Sequence, residues 1–388
     1  MKKHSLILII LICLFLSASY DSKQTQWKGE IDYEDGVKIM KNPQEPLYGE
    51  IEFELEEDLS ISNETNEDYM FYRIRGMAVD SENNLFVVDM SNYRILVFNK
   101  KGKPIQTIGR EGQGPGEFEM PIGLAVDDST GDIYVGDRFR AIDVFNKNGD
   151  VKRTITSKLF IVNFFPLKDG TFFILVRKTS DEELSSEHLV CKINEKGEVL
   201  NSIAQFPYPT LMRRTSNGGT FGTSTGHELS AHVAVVNGEK MVYGYSKDYE
   251  LKIINREGKL LYLIRKDAPK PKFTSEEQGV YKSIKFPVPE SKPYFYSIFT
   301  DSKGRIYVQC NKSEEGIRGY GPIDKETKEV DIFSQDGYYL YKAVLPPNTS
   351  IIKNGYLYSL DLNEDEGIEY IKRYRIKNWD QIKEGISN

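Results

Sequence analysis

Residues 109–118 read Gly-Arg-Glu-Gly-Gln-Gly-Pro-Gly-Glu-Phe, and four glycines in ten residues could cradle a phosphate. A phosphate loop ends in Gly-Lys-Ser/Thr and opens a helix, because backbone amides, a lysine and a hydroxyl must converge on one anion. Here a strand-like run, Pro121 to Val126, follows instead. The stretch reads as a connector whose glycines permit positive φ and whose Pro115 stiffens it. A second candidate is His227-Glu228-Leu229-Ser230-Ala231-His232. The zinc-protease motif needs two histidines four apart on a helix; these lie five apart, in a Gly/Ser/Thr-rich loop that leads into a strand. His188 is the one other histidine beyond residue 19, and a three-histidine zinc site would have to recruit it. Cys191 and Cys310 fit no metal spacing. Asp89 with Arg94, and Asp137 with Arg140, recur at matching positions, which points to structural ion pairs. No Ser/His/Asp or Cys/His arrangement stands out.

The elements that must position these residues are legible in a repeat. Residues 79–102 and 126–149 align at an offset of 47, with each Asp, aromatic and Gly in register. The closing turn recurs as Asn194–Gly197, Asn255–Gly258 and Ser334–Gly337, each followed by a further strand. Each unit holds four short strands, and a period near 47 lies in the range of propeller blades. Five units are complete and a sixth, from Asn354, lacks one strand. An alternating run at 48–61 supplies it as the outer strand of the last blade, which hides two sheet edges at once. The expected fold is all-β: a six-bladed β-propeller of four-stranded antiparallel blades, closed by an N-terminal strand and spanning 47–388. Residues 20–46 read as a flexible tether.

The run Gly76-Met77-Ala78-Val79-Asp80, Leu85 to Asp89 and Asn92 to Gly102, with Gly-Gln-Gly-Pro-Gly-Glu-Phe before the next unit, resembles the NHL repeat. The whole arrangement is similar to exported six-bladed propeller proteins, some of them lipoproteins, of Bacteroides-type bacteria. The resemblance implies the fold. NHL-like proteins bind proteins, RNA or ligands, or catalyse reactions, so it does not choose a function.

Because strands alternate direction, inter-blade connectors and the loops between second and third strands share one face. On that face the loops at 178–187, 207–231, 266–295 and 311–329 are long; on the other they hold about four residues. Binding residues concentrate in loops on a rigid scaffold. Aligning the units places Gly76, Gly123, Asn163, His232, Ser297 and Asn348 where each inner strand meets the channel. Arg73, Arg75, Arg110, Arg213, Arg214 and Tyr296 lie near that rim and could recognise a carboxylate, phosphate or sugar. The aromatics of the long insertions, Phe273, Tyr281, Phe286, Tyr294 and Tyr320 among them, suit either a partner contact or packing over blade 5.

Residues 1–19 carry Lys2 and Lys3, an apolar run from Leu6 to Leu16, and Ser17-Ala18-Ser19, the pattern of a cleaved secretion signal. Ser19 stands where a lipoprotein signal would place cysteine, so membrane association would need a lipid anchor that this position does not supply. Cleavage would move the formal charge from -7 to -9, and an acidic surface argues against nucleic acid. The expectation is an exported monomer, periplasmic or at the cell surface, that binds a protein or glycan without catalysis or cofactor. The alternative is a calcium-dependent lactonase- or esterase-like hydrolase at the channel mouth, which needs carboxylates converging on the axis; Glu119 and Glu228 lie close by. A zinc-dependent lyase built on His227, His232 and His188 is a third class, with Glu228 a further metal candidate.

Overall fold

The second strand of the first repeat, Leu85–Asp89, buries all five of its side chains, as does its counterpart Ile133–Asp137. A strand apolar on both faces must be covered on both, which a blade packed between two other blades provides. The outer strand Val151–Thr156 instead alternates exposed and covered residues. In the computed structural model these elements form a six-bladed β-propeller of antiparallel blades. The structure describes residues 26–386 apart from 63–68, 140, 181–184, 209–210, 215–219, 224–227, 284–287, 311–326 and 364–366.

The blades follow one another along the chain, with inner strands Ile74–Val79, Pro121–Val126, Phe160–Pro166, Ala231–Val236, Ser297–Thr300 and Thr349–Lys353. Between blades the core is aliphatic and aromatic; Val88, Ile95, Phe118, Ile133 and Phe145 fill the first boundary. The recurrent Asn-x-x-Gly turn has two jobs. The Asn99 Oδ1 accepts the backbone N–H groups of Lys101 and Lys103, which replaces a ladder at the hairpin tip. Gly102 takes φ +74°, and a Cβ there would press on Leu59 and Ile61 of the preceding blade's outer strand. Gly149 meets Gln106 and Ile108 in the same way. The glycine is needed for packing between blades as well as for the turn.

Leu55–Ser62 pairs antiparallel with Ile368–Ile376 and completes blade 6 from the N-terminal side. Arg373 grips Asp58 through two hydrogen bonds of 2.8 and 3.1 Å, and Lys372–Glu57 and Lys377–Glu56 pairs flank it. The expected tether is a different matter. Glu30–Glu34 and Val37–Asn42 form a hairpin, and the second strand runs parallel to Leu260–Lys266, widening blade 4 to six strands. Glu50–Ile51 then pairs with Tyr339–Leu345 of blade 5. Residues 30–62 thus cross the outer edges of blades 4, 5 and 6 in turn. Burial explains why this segment does not hang free: Ile39 and Met40 are fully covered. The Asn42 amide bonds Gly337 O (2.9 Å) and Met40 O, while its Oδ1 accepts from Tyr339 N and Trp27 Nε1.

The insertion at 266–295, read as loop, contains the helix Ser275–Ser283. A reciprocal cap starts it: Thr274 Oγ1 accepts from Glu277 N, and Glu277 Oε2 accepts from Thr274 N. Within 207–231, Leu211–Arg214 and Thr220–Thr223 form a small hairpin.

Candidate functional site

The glycine-rich connector supplies its own anion. Glu117 accepts the Gly114 N–H at 2.9 Å and bonds Arg110 Nε at 2.9 Å, and these contacts hold its carboxyl below the usual range. A Cβ on Gly109, at φ +83°, would collide with the ring of Phe118, which is fully buried at the boundary of blades 1 and 2. The loop is a folded connector in which Glu117 and backbone carbonyls take up the amides of Gly112, Gly114, Glu117 and Phe118.

An aspartate ties each of the first two blades to the connector before it. Asp89, fully buried, accepts the N–H of Tyr72 at 2.9 Å and pairs with Arg94 at 2.8 Å. Asp137 accepts the N–H of Met120 at 2.6 Å, and burial pushes its carboxyl up. In blade 4 the Ser246 hydroxyl takes the same place, accepting from Ser230 N at 2.9 Å. The Asp89–Arg94 pair is therefore structural. Arg140 lies outside the described residues, and the guanidinium seen near Asp137 is that of Arg138, at 3.6 Å.

Beside these caps the inner strands bulge. The ladder skips Arg75, Ile122, Val162 and Ser350 in blades 1, 2, 3 and 6. Bulges re-aim side chains at functional rims. Gly76, Gly123 and Asn163 follow their bulge directly, whereas Asn348 precedes its strand and is offset from them. His232 and Ser297 sit on strands without a bulge, facing Gly244 and Gln309. Arg73, Arg75, Asn163 and Asn348 are exposed, and Arg110 is engaged by Glu117. Arg73 holds φ +59°, a strained conformation for a side chain of its size. Tyr296 is half-buried, and desolvation raises its phenol. The side chains of Arg213 and Arg214 lie outside the described residues, as do Phe286 and Tyr320.

One group of residues was not singled out from the sequence. At the same end of blade 3, Phe160, Arg177, His188 and Phe206 face one another across its four strands. Phe139, from the loop ending the second strand of blade 2, stacks on Phe160 at 4.4 Å and 13°. Tyr208 stacks on His188 at 4.2 Å and 18°. The Arg177 guanidinium lies 5.9 Å from the Phe160 centroid and 5.6 Å from that of Tyr208. Phe139 also borders a small, shallow, open depression lined by Gly123, Gly136, Ile161, Asn163 and Phe164 among others. A row built from four strands and two loops has no short sequence signature. The available signal was an aromatic or cation at the same end of every strand of one unit.

The histidines come closer than expected. The Ala231 N–H donates to His188 Nδ1 at 3.2 Å, and His232 Nε2 shares a 2.9 Å hydrogen bond with Ser230 Oγ. Burial lowers both rings to about 4, so both are neutral at pH 7. His188 Nδ1, as an acceptor, leaves the proton on Nε2, the form that cannot ligate through that nitrogen. Glu228 is half-buried near Tyr208, whose phenol it helps to raise after desolvation. His227 lies outside the described residues; among those described, no three His, Cys, Asp or Glu side chains could together hold a metal ion.

Elsewhere the polar clusters are staples. Asp331 accepts from Tyr249, Tyr339, Lys266 and Cys310 between blades 4 and 5. Burial raises the Cys310 thiol, which makes it a poor nucleophile. Neither Cys191 nor Cys310 is in a disulfide. Arg305, fully buried, pairs with Asp301 at 2.6 Å, donates to Ile382 O and stacks on Trp379. Phe273 and Tyr281 pack edge to face, both buried, which answers for two of the insertion's aromatics.

The fold has relatives of known structure. A Bacteroides fragilis protein described as exported matches with TM-score 0.53 at 13% identity, over 87% of this chain and 99% of that one. A Bacteroides vulgatus member of the DUF4221 family matches with TM-score 0.53 at 14% identity, over 84% and 98%. At these identities the likeness is one of fold. In sequence, 80 residues are 32% identical to Protein brain tumor of Drosophila melanogaster, a stretch covering 20% of this chain and 8% of that protein. No helix among the described residues is long and apolar enough to cross a membrane. The family described as Domain of unknown function (DUF4934) matches residues 61–386, nearly the whole propeller, and the chain belongs to it.

Proposed function

We propose that the protein is an exported, non-catalytic binding propeller that presents its long-loop face to a protein or a glycan. The contrast between its two faces carries this reading. On one face, self-satisfied Asn-x-x-Gly turns join the third and fourth strands, with Asn99 and Asn146 bonding their own tips. On the other stand four exposed apolar side chains, Met70, Tyr72, Val162 and Leu362, at 52, 58, 42 and 49% exposure. Apolar side chains left open on a rigid rim offer a partner area whose burial is favourable. The caps of Asp89 and Asp137 fix the backbone beneath them, so a partner meets a preformed surface and little ordering entropy is lost. Export is supported by the signal-like residues 1–19, and the formal net charge of -7 gives nucleic acid no overall attraction.

The test is an array of glycans and extracellular proteins probed with the chain from residue 20 onward. Tyr72→Ser combined with Val162→Asn should remove the signal, while Val199→Thr combined with Val344→Thr, on the outer wall, should preserve it. Loss with the second pair and not the first would move the contact to the wall. Silence for the unaltered protein on every spot would count against a binding function altogether.

A further inference from the structure

We propose that the channel rim of blades 1 to 3, on the long-loop face, captures the C-terminal carboxylate of a protein chain ending in an aliphatic residue. This rests on the binding reading above and narrows its partner to a protein terminus. The bulges supply the site. Arg75, Ile122 and Val162 are the residues that the ladder skips in three consecutive blades, so they hold equivalent places on one arc. The inner strands bearing the first two run against each other, and a Cβ on Gly76 would lie 3.5 Å from Ile122 O. Ile122 and Val162 line one hollow together with Asn163. A cation, two aliphatic side chains and an amide thus follow one another along the rim.

Each of them is open to a partner. Arg75 is exposed, and among the described residues its guanidinium makes no hydrogen bond or close ion pair. Glu369 acts on it only from longer range, because that carboxylate turns to the Ile74 N–H at 3.3 and 3.4 Å. A planar guanidinium edge matches a carboxylate through two parallel bonds. Val162 is 42% exposed and Ile122 half-buried, so a terminal aliphatic side chain laid across them buries apolar surface. Asn163 Oδ1 accepts the N–H of Phe164, which leaves its NH2 to donate to a peptide carbonyl. A chain terminus carries all three complements, carboxylate, apolar side chain and carbonyl, in its last two residues. A sugar fits less well. The hollow has room for about one water molecule, so a ring cannot enter it. Aliphatic walls lack the flat face on which a sugar stacks, and one face of nearby Phe139 is covered by Phe160.

The experiment follows fluorescence polarisation of dye-labelled Gly-Ser-Gly-Val-Leu, as free acid and as C-terminal amide, with the chain from residue 20 onward. The acid should bind at least about fivefold more tightly than the amide at low salt, the worth of one exposed ion pair. Arg75→Gln should erase that preference without lowering the melting temperature, and Arg75→Lys should restore part of it. Ile122→Thr combined with Val162→Asn should weaken acid and amide alike. Equal binding of acid and amide, or a preference that survives Arg75→Gln, would overturn the proposal. Displacement by isovalerate, by tetragalacturonate or by an amidated peptide with an internal Glu, as effective as by the unlabelled acid itself, would also overturn it. Those three results would assign the rim to a free acid, an acidic glycan or an acidic loop respectively. If neither peptide binds while array signals still depend on Tyr72 and Val162, the terminus falls and the wider binding reading stands. A silent array removes both.

Discussion

The carboxylate of Asp89 accepts the backbone N–H of Tyr72 at 2.9 Å, fastening the connector from blade 6 to the far end of blade 1's second strand. Asp137 and Met120 repeat the contact across the same separation in sequence. Asp89→Ala leaves the Tyr72 amide and Arg94 without their acceptor, and should cost about 2–3 kcal/mol in urea denaturation. Asp89→Asn, which keeps an acceptor oxygen, should cost less. Equal losses for the two would mean that charge, rather than the cap, is what matters there.

Ring closure depends on pairs that join distant parts of the chain, of which Arg373 with Asp58, 315 residues apart, is the best covered. Asp58 is 30% exposed, so the coupling is modest. A double-mutant cycle of Asp58→Asn and Arg373→Gln should return about 1 kcal/mol, falling in high salt. Removing residues 1–62 strips the outer strand from blade 6 and should give an aggregating product, whereas removing 1–25 should leave the melting temperature unchanged. A stable monomer from the shorter chain would show that closure is dispensable.

The two lowered histidines set an acid limb. Each is neutral when folded down to about pH 4, whereas in the unfolded chain it takes a proton near pH 6.5. The unfolded state therefore binds more protons between those values, and stability falls as pH drops from 6.5 toward 4, by up to about 1.4 kcal/mol per pH unit for each such proton. Asp137, Asp143 and Glu369, raised by burial, work in the opposite sense and soften the fall. His188→Asn, which retains an acceptor for Ala231 N, should flatten the slope of the urea midpoint between pH 6.5 and 4.5. An unchanged slope would remove His188 from the account.

Metal addition separates binding from the hydrolase and lyase alternatives. The melting temperature should be the same in EDTA, with calcium and with zinc. A cation at 100 times its dissociation constant would add about 2.7 kcal/mol, a visible shift. Such a shift, abolished in His232→Ala or Glu228→Gln, would reopen the enzymatic reading.

The blade repeat was legible because its signals are local: Asp80, Asp89, Asn99 and Gly102 stand within one turn or hairpin of each other. The hairpin at Glu30–Asn42 was not, because its short, charged strands carry no repeat signature, and what holds them is a parallel pairing to residues more than 200 positions away. The site divides in the same way. Arg75 and Asn163 could be placed by counting along inner strands, whereas in blade 6 the residue that follows the bulge is Ile351 and Asn348 lies three positions before it. Arg177 was invisible as a candidate, since its ring contacts come from Phe160 on the neighbouring strand and Tyr208 just past the outer strand of the blade.

The most direct test of the central claim is hydrogen exchange of the chain from residue 20 onward with and without the strongest partner found on the array. The account predicts slowed exchange at 70–72, 160–163 and 360–362, all on the long-loop face. Protection confined to the Asn-x-x-Gly turns at 99–102, 146–149 and 194–197, on the other face, would contradict it.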